Sequence, residues 1–229
     1  MSDLSYRFGA FCTRVFTTLF TRKHISGLEH IPREGGCLIM ANHISHFDPN
    51  VLGMSTPLCG RCIDYMADLP LLKIPVVGPI LKSWNAFPID RTKLIDRASI
   101  RIALERLNAG RVVGIFPERG LRYGEKSILG GAELAVGSAA LWQMAKVPLV
   151  PAVILGSDQF YQWRNLFRRP LLVVRYGPIL AAPAEDETRE AARDRLVAAI
   201  RQLYAEVVSE RNPQPHEFPQ CPQERFAQR

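Results

Sequence analysis

His43 and Asp48 are the residues of this chain whose types and spacing best fit catalysis. An imidazole can take a proton from a substrate hydroxyl near neutral pH, and a carboxylate on its other nitrogen orients the ring and stabilises its charge. The apolar run before them, residues 37–41, predicts a buried strand, and Asp48-Pro49 is typical of a helix N-cap followed by proline at the first helical position. The pair, called the dyad below, is therefore predicted on a strand-to-helix loop. A purely structural role, a capping Asp beside a hydrogen-bonded His, is the alternative.

Two further segments place charged residues close to the ends of predicted strands. One strand ends near Arg91, and another is followed by Glu118, Arg119 and Arg122. Ligands of α/β sheets bind at strand ends, and guanidinium groups bind phosphate oxygens in a bidentate manner. These arginines are candidate ligands for a phosphate, with surface ion pairs as the alternative.

The order of these segments resembles the glycerolipid acyltransferase family, typified by 1-acylglycerol-3-phosphate acyltransferase. The four family motifs are matched by Asn42, His43, Ser45 and Asp48; by Phe87, Ile89, Asp90 and Arg91; by Phe116, Pro117 and Glu118; and by Val147, Pro148 and Pro151. The third motif then departs from the family pattern, because Arg119-Gly120-Leu121-Arg122 stands in place of Gly-Thr-Arg-Ser. The lysine that the family often has before the following Gly-Ala is replaced by Leu129.

The resemblance implies an O-acyltransferase of phospholipid biosynthesis. It would move a fatty acyl group from acyl-CoA or acyl-carrier protein to the free hydroxyl of a lysophospholipid, with 1-acylglycerol 3-phosphate as the expected acceptor and phosphatidic acid as the product. His43 would be the general base and Asp48 its orienting partner. The residues implied in acceptor binding are Arg91, Glu118, Arg119, Gly120 and Arg122. Because the arginine of the third motif is shifted, an acceptor with a different head group is the alternative. Neither a cofactor nor a metal is expected.

The chemistry of the dyad suits direct transfer. A hydroxyl is a poor nucleophile near pH 7, and general base catalysis accelerates such an attack by about 10²–10⁴-fold. The chain has no Gly-x-Ser-x-Gly elbow, so a scheme without an acyl-enzyme is the simpler one. Two other functions stay open: a metal-dependent hydrolase with His43, His46 and Asp48 as ligands, and a non-catalytic lipid-binding relative, suggested by the irregular third motif.

The elements that must position these residues alternate between apolar runs and helical patterns, which predicts an α/β domain with a mixed central sheet flanked by helices. Strands are predicted at residues 37–41, 63–67, 86–89, 112–116, 147–155 and 171–176, and helices at 91–108, 131–145 and 185–210. The predicted organisation is a membrane-associating amphipathic helix over 1–24, an acyltransferase domain over 25–212 and a loose tail over 213–229.

The N-terminal segment predicts an amphipathic helix. Its apolar stripe is formed by Leu4, Phe8, Phe11, Val15 and Leu19, widened by Cys12, Phe16 and Phe20. Arg7 and Arg14 lie along the edge of the stripe. Such a helix can lie in the headgroup region of a membrane with its arginines reaching the surface, or it can pack on the domain core. Residues 160–169 interleave aromatic residues with arginines and allow the same two interpretations.

Charge and composition limit the classes of partner that this chain is expected to bind. The net charge of +7 favours an anionic membrane surface or a phosphorylated substrate, and no nucleic-acid motif is recognisable. The sequence has no apolar run of about 20 residues, so no membrane-spanning helix is predicted. The five cysteines follow no disulfide pattern and no signal peptide is visible, so we expect a peripheral protein on the cytoplasmic face of a membrane.

Overall fold

The computed structural model describes residues 3–90, 92–93 and 96–227. The strands are β1 (Arg22–Ser26), β2 (Cys37–Ala41), β3 (Ile63–Asp68), β4 (Phe87–Ile89), β5 (Val112–Ile115), β6 (Leu149–Leu155) and β7 (Leu171–Tyr176). The α-helices are α1 (Asp3–Phe20), α2 (Asp48–Gly53), α3 (Leu69–Leu72), α4 (Val77–Ser83), α5 (Arg97–Asn108), α6 (Gly137–Ala145), α7 (Trp163–Phe167), α8 (Arg189–Arg211) and α9 (Pro222–Ala227). The predicted α/β fold with a mixed sheet flanked by helices is confirmed.

The sheet places the ends of β2 and β5 side by side. Its order is β1-β7-β6-β2-β5-β3-β4, and the pairs are parallel except for the antiparallel pair of β6 with β7. β2 is buried at every position, and Met40 lies opposite Ile115 of β5. Because the two strands run parallel, the loops that carry His43 and Glu118 leave the sheet at the same edge.

Helices cover both faces of the sheet. Alternate residues of β2 point to opposite faces, as the pleat of a strand requires. Ile39 packs with residues of α1 and α2, including Tyr6 and Val51. Leu38 and Met40 pack on the other face in a cluster that includes residues of α5, α6 and α8. A strand buried on both faces reads as a continuous apolar run, which is why β2 was predictable.

Several predicted helices begin later in the structure. α5 begins at Arg97 because the Asp96 side chain accepts the backbone N–H groups of Ala98 and Ser99, which caps the helix there. α8 likewise begins after Thr188, whose side chain caps it. The first turn of the predicted 131–145 helix is irregular, and α6 covers only its second part. β1 was not predicted, because this short edge strand is largely polar and has no apolar alternation.

Helix α1 packs on the domain through one narrow face and exposes the other. Tyr6, Ala10 and Thr17 are buried, and the Tyr6 hydroxyl donates to the Gly53 carbonyl at 3.2 Å. The predicted apolar stripe points away from the domain, and Phe8 is 69% exposed. No helix among the described residues is long and apolar enough to cross a bilayer.

The segment after Pro213 is not loose in its described part, contrary to the prediction. Residues 215–217 form a 3₁₀ turn, and α9 follows. The Arg225 side chain is 1% exposed and forms an ion pair with buried Asp158. This contact was not predictable from the sequence, because a charged residue near a chain end is normally solvated.

Candidate active site

The dyad forms as predicted on the loop between β2 and α2, residues 42–47, called the dyad loop below. His43 Nδ1 lies 2.9 Å from Asp48 Oδ2. The His43 side chain is 13% exposed and the Asp48 side chain is fully buried. The imidazole therefore keeps a small accessible part while its carboxylate partner is shielded from water.

The Asp48 carboxylate organises the dyad loop. Its Oδ2 also accepts the backbone N–H groups of Ile44 at 2.7 Å and Ser45 at 2.8 Å, and its Oδ1 accepts the Ser157 hydroxyl. Asp48 is not the N-cap that the sequence predicted: Phe47 occupies that position, α2 starts at Asp48, and no side chain caps the helix. The carboxylate is instead turned back onto the loop, where it fixes both the imidazole and the backbone that carries it.

A second buried polar side chain anchors the start of the dyad loop. The Asn42 side chain donates to the Ile154 carbonyl at 2.9 Å and accepts the Ile154 N–H at 2.8 Å. Asn42 thus continues the hydrogen bonding between β2 and β6 with its side chain. This leaves the backbone free to turn toward His43.

The imidazole rests on an aromatic stack. The His43 and Phe116 rings are stacked with centroids 4.2 Å apart and an angle of 18° between their planes. Tyr65 is stacked on the other side of Phe116 with centroids 6.4 Å apart. The stack limits rotation of His43 about its side-chain bonds. Neither Tyr65 nor Ser157 was identified from the sequence, because both reach the dyad only through tertiary packing.

Glu118 joins two loops of the site. Its Oε2 accepts the backbone N–H of His43 at 2.6 Å, and its Oε1 accepts the N–H of Ile128 at 2.7 Å. Burial raises the pKa of the Glu118 carboxyl, and the two N–H donors oppose that rise. Both carboxylate oxygens are already engaged by the protein, so Glu118 supports the site rather than projecting a free carboxylate into it.

A basic cavity of about 450 Å³ opens beside Glu118. Three cationic residues and two acidic ones line it, so the lining has a net positive charge: Arg119, Arg122 and Lys126, with Glu118 and Glu133. Arg119 has a φ of 58°, in the left-handed region that favours glycine, which is the residue of the family motif at this position. Arg122 also ties the cavity to the dyad loop, since its N–H donates to the His43 carbonyl at 2.9 Å. Gly120 lies between the two arginines.

One residue predicted for the cavity is not tested, and another was missed. Arg91, expected beside the other arginines, lies outside the described residues. Lys126 was not identified from the sequence, because the family pattern places a lysine three residues later, where Leu129 stands. The 3₁₀ turn at residues 124–126 brings Lys126 to the cavity instead.

His46 turns away from the dyad. Its Nδ1 lies 2.6 Å from the Tyr161 hydroxyl, and desolvation lowers its pKa, as does neighbouring His43. Among the described residues, no group of three or more His, Cys, Asp and Glu side chains is arranged to hold a metal ion. His43, His46 and Asp48 therefore do not form the ligand set that the hydrolase alternative requires.

Comparisons with known proteins found a family model, relatives and a solved structure that are similar to this chain. A family model described as Acyltransferase matches residues 22–155. A 1-acyl-sn-glycerol-3-phosphate acyltransferase of Bacillus subtilis (strain 168) is 32% identical over 164 residues, which is 72% of this chain and 76% of that protein. One of Borreliella burgdorferi is 26% identical over 151 residues, or 65% of this chain and 57% of that protein. The fold is shared with the crystal structure of the 1-acyl-sn-glycerophosphate (LPA) acyltransferase PlsC from Thermotoga maritima, at a TM-score of 0.61 and 22% identity, over 89% of this chain and 79% of that one.

Proposed function

This chain belongs to the acyltransferase family, and on that premise we propose that it moves a fatty acyl group from a thioester to the free hydroxyl of a lysophospholipid. The proposed donor is acyl-CoA or acyl-carrier protein. The proposed acceptor is 1-acylglycerol 3-phosphate, after which both relatives are named, and the proposed product is phosphatidic acid. The observation that carries the proposal is the partly exposed imidazole held by a fully buried carboxylate at the edge of a basic cavity.

The hydrogen bonds of Asp48 support the role of His43 as general base. The backbone N–H groups of Ile44 and Ser45 can only donate, so Asp48 Oδ2 is an acceptor. The ring nitrogen facing it, His43 Nδ1, then carries a proton, which leaves Nε2 unprotonated and able to accept one. Asp48 thereby holds the tautomer that a base needs and stabilises the imidazolium once the proton has arrived.

The proposed transfer needs no acyl-enzyme. The acceptor oxygen attacks the thioester carbonyl carbon while its proton passes to His43 Nε2. The resulting tetrahedral intermediate collapses, the carbon–sulfur bond breaks, and the proton returns from the imidazolium to the leaving thiolate. One ester bond and one thiol are formed for each thioester and hydroxyl consumed.

The basic cavity is the proposed site for the acceptor's phosphate. Arg119, Arg122 and Lys126 line it, and Arg91 is proposed to join them on the strength of the second family motif. Gly120 is proposed to let the backbone approach the ligand. Glu118 is proposed to keep the cavity loop at a fixed distance from His43, because its two oxygens bridge both loops.

The exposed stripe of α1 is the proposed membrane contact. A chain of ring contacts leads from it to the dyad loop: Phe16 to Phe160 at 6.1 Å and Phe160 to Phe47 at 5.7 Å. Trp163 and Phe167 of α7 are also exposed. Rings at headgroup depth, together with basic residues and a net charge of +7, suit the anionic inner face of a membrane. This placement would bring the lysolipid acceptor to the dyad without leaving the bilayer surface.

Mass spectrometry of products from a mixed pool of lysolipids tests the proposal. With acyl-CoA or acyl-carrier protein as donor, we expect phosphatidic acid as the main product and none from His43→Gln. The matched control is His24→Gln, on β1, which should keep full activity. A product with another head group would identify a different acceptor for the same acyl-transfer reaction. Binding of lysolipid with no transfer from either donor would favour the non-catalytic relative.

A further inference from the structure

The dyad loop rests on a short turn that no catalytic motif includes. Gly156 ends β6 with a φ of 86°, and a Cβ there would lie 1.8 Å from the Leu171 carbonyl oxygen, so the sharp turn needs glycine. The 3₁₀ turn Ser157–Tyr161 follows directly. Its contacts with the dyad loop and α2 are Ser157 Oγ with Asp48 Oδ1, the Tyr161 hydroxyl with the His46 N–H at 3.0 Å, and the Phe160 ring with Phe47 at 5.7 Å.

This turn is held from behind by the C-terminal segment, residues 214–225. Asp158 Oδ2 accepts Arg225 Nε at 2.8 Å and Nη2 at 2.5 Å, as well as the Gln220 N–H at 3.0 Å. Both side chains of this ion pair are almost completely buried. Gln159, the next residue of the turn, donates to the His216 carbonyl at 2.8 Å.

The C-terminal segment is itself fixed at a second point. The Glu217 side chain is buried and accepts the Leu171 N–H of β7 at 3.0 Å. Glu217 also forms an ion pair with Arg22 of β1. Arg225 closes the segment on itself, because it donates to the carbonyls of His216 at 2.6 Å and Phe218 at 2.9 Å. The segment is thus a rigid connection between the sheet edge and the turn.

We propose that the C-terminal segment positions the catalytic dyad: Arg225 fixes Asp158, and the neighbouring Ser157 then fixes Asp48. Arg225, Asp158 and Ser157 are positioning residues, since none of them faces the reacting atoms. A buried ion pair is costly to desolvate and is weak evidence for stability alone. Its directional contacts fix the turn, and a misplacement of about 1 Å at a catalytic group costs about 10²-fold in rate. Only the kinetic test of this inference rests on the proposed function.

A double-mutant cycle tests whether Arg225 acts through Ser157. We expect Ser157→Ala and Arg225→Ala each to lower kcat about tenfold with little change in KM, as loss of one hydrogen bond to a charged group predicts. If Arg225 acts through Ser157, the double variant should also lose about tenfold, whereas independent effects would multiply to about a hundredfold. Gln223→Ala, an exposed residue of α9, is the matched control and should leave kcat unchanged. Multiplying losses, or an unchanged kcat in Arg225→Ala, would overturn the proposal.

Two further measurements separate positioning from folding and from the proposed reaction. The ¹⁵N chemical shifts of the His43 ring report which nitrogen carries the proton. We expect them to show a mixture of tautomers in Arg225→Ala and in Ser157→Ala, and the native pattern again in Ser157→Thr. This readout needs no turnover, so it decides the inference even if the acyl acceptor has been misassigned. If Arg225→Ala does not fold, Arg225→Gln keeps a polar side chain but loses the charge that pairs with Asp158, and native tautomer shifts in that variant would refute the role.

Discussion

Asp48→Asn is the substitution that best isolates the charge of the dyad from its geometry. An asparagine can place its carbonyl oxygen where Oδ2 now accepts from His43, Ile44 and Ser45. Its amide nitrogen then faces Ser157, whose hydroxyl can rotate from donor to acceptor. The loop and the tautomer of His43 are thereby kept, while the negative charge beside the imidazole is lost.

The expected size of the effect follows from the observed distance. His43 Nδ1 lies 2.9 Å from Asp48 Oδ2, and the centres of the two delocalised charges are farther apart. Opposite charges about 4 Å apart attract by about 4 kcal/mol at an effective dielectric constant near 20. This attraction exists only after the imidazolium has formed, so its loss appears in the transition state. We expect kcat to fall about 10³-fold, because each 1.36 kcal/mol is worth about a factor of ten.

The assay is transfer of a mass-labelled acyl chain to 1-acylglycerol 3-phosphate, measured under saturating donor. KM for both substrates should change less than about threefold, since neither touches Asp48 in the proposed scheme. Asp64→Asn is the matched control: its carboxylate is also fully buried, but it pairs with Arg106 and Arg111 away from the dyad. That variant should lose stability and keep kcat. A kcat for Asp48→Asn within tenfold of the wild-type value would refute electrostatic stabilisation by this residue.

Three other expectations concern the membrane contact, the dyad loop and the response to pH. Phe8→Asp should weaken sedimentation with anionic vesicles about 30-fold, because about 2 kcal/mol of ring burial is lost, and leave the melting temperature unchanged; equal binding would exclude α1 as the contact. Asn42→Ala should lower the free energy of unfolding in urea by about 2–4 kcal/mol, since the Ile154 N–H and carbonyl lose their partners; a loss below about 1 kcal/mol would contradict this. Burial raises the pKa of Asp158 to about 6, so its contribution to stability is present below about pH 4 and is lost as the pH rises through 6. Between pH 4 and 6, the unfolding free energy of the wild type should fall by about 3 kcal/mol more than that of Asp158→Asn. If the two proteins show the same dependence on pH, the pKa of Asp158 is not raised.

The fold was largely predictable because its central strands are buried on both faces. β2 and β6 consist of continuous apolar runs, and the structure buries every residue of each. Elements at the edge of the sheet were harder to predict, because β1 owes its strand structure to pairing with β7 and not to its own composition. The start of α5 depends on a local capping bond of Asp96 that competes with a longer helical pattern.

For the candidate site, the sequence identified groups on the motifs but not the groups that support them. The His43–Asp48 contact spans one strand-to-helix loop, so the strand before it and the helix start after it were enough to predict it. Ser157 and Arg225 come from distant parts of the chain and meet the loop only through the folded sheet. Asp48 was misassigned as a helix cap because the same residue types cap helices and hold imidazoles, and only the direction of the carboxylate distinguishes the two.

The order of the sheet also has a consequence for synthesis on the ribosome. β1 is the first strand to be made, yet among the described strands it pairs only with β7, which is made last. Until β7 has emerged, β1 has no partner and β6 presents an open edge, the kind of surface that other chains can pair with. Helix α1, with its exposed aromatic stripe, is made before these strands. If α1 makes the proposed membrane contact, a nascent chain would meet a bilayer before its sheet is closed, and truncations that end before residue 176 should aggregate unless a membrane is present.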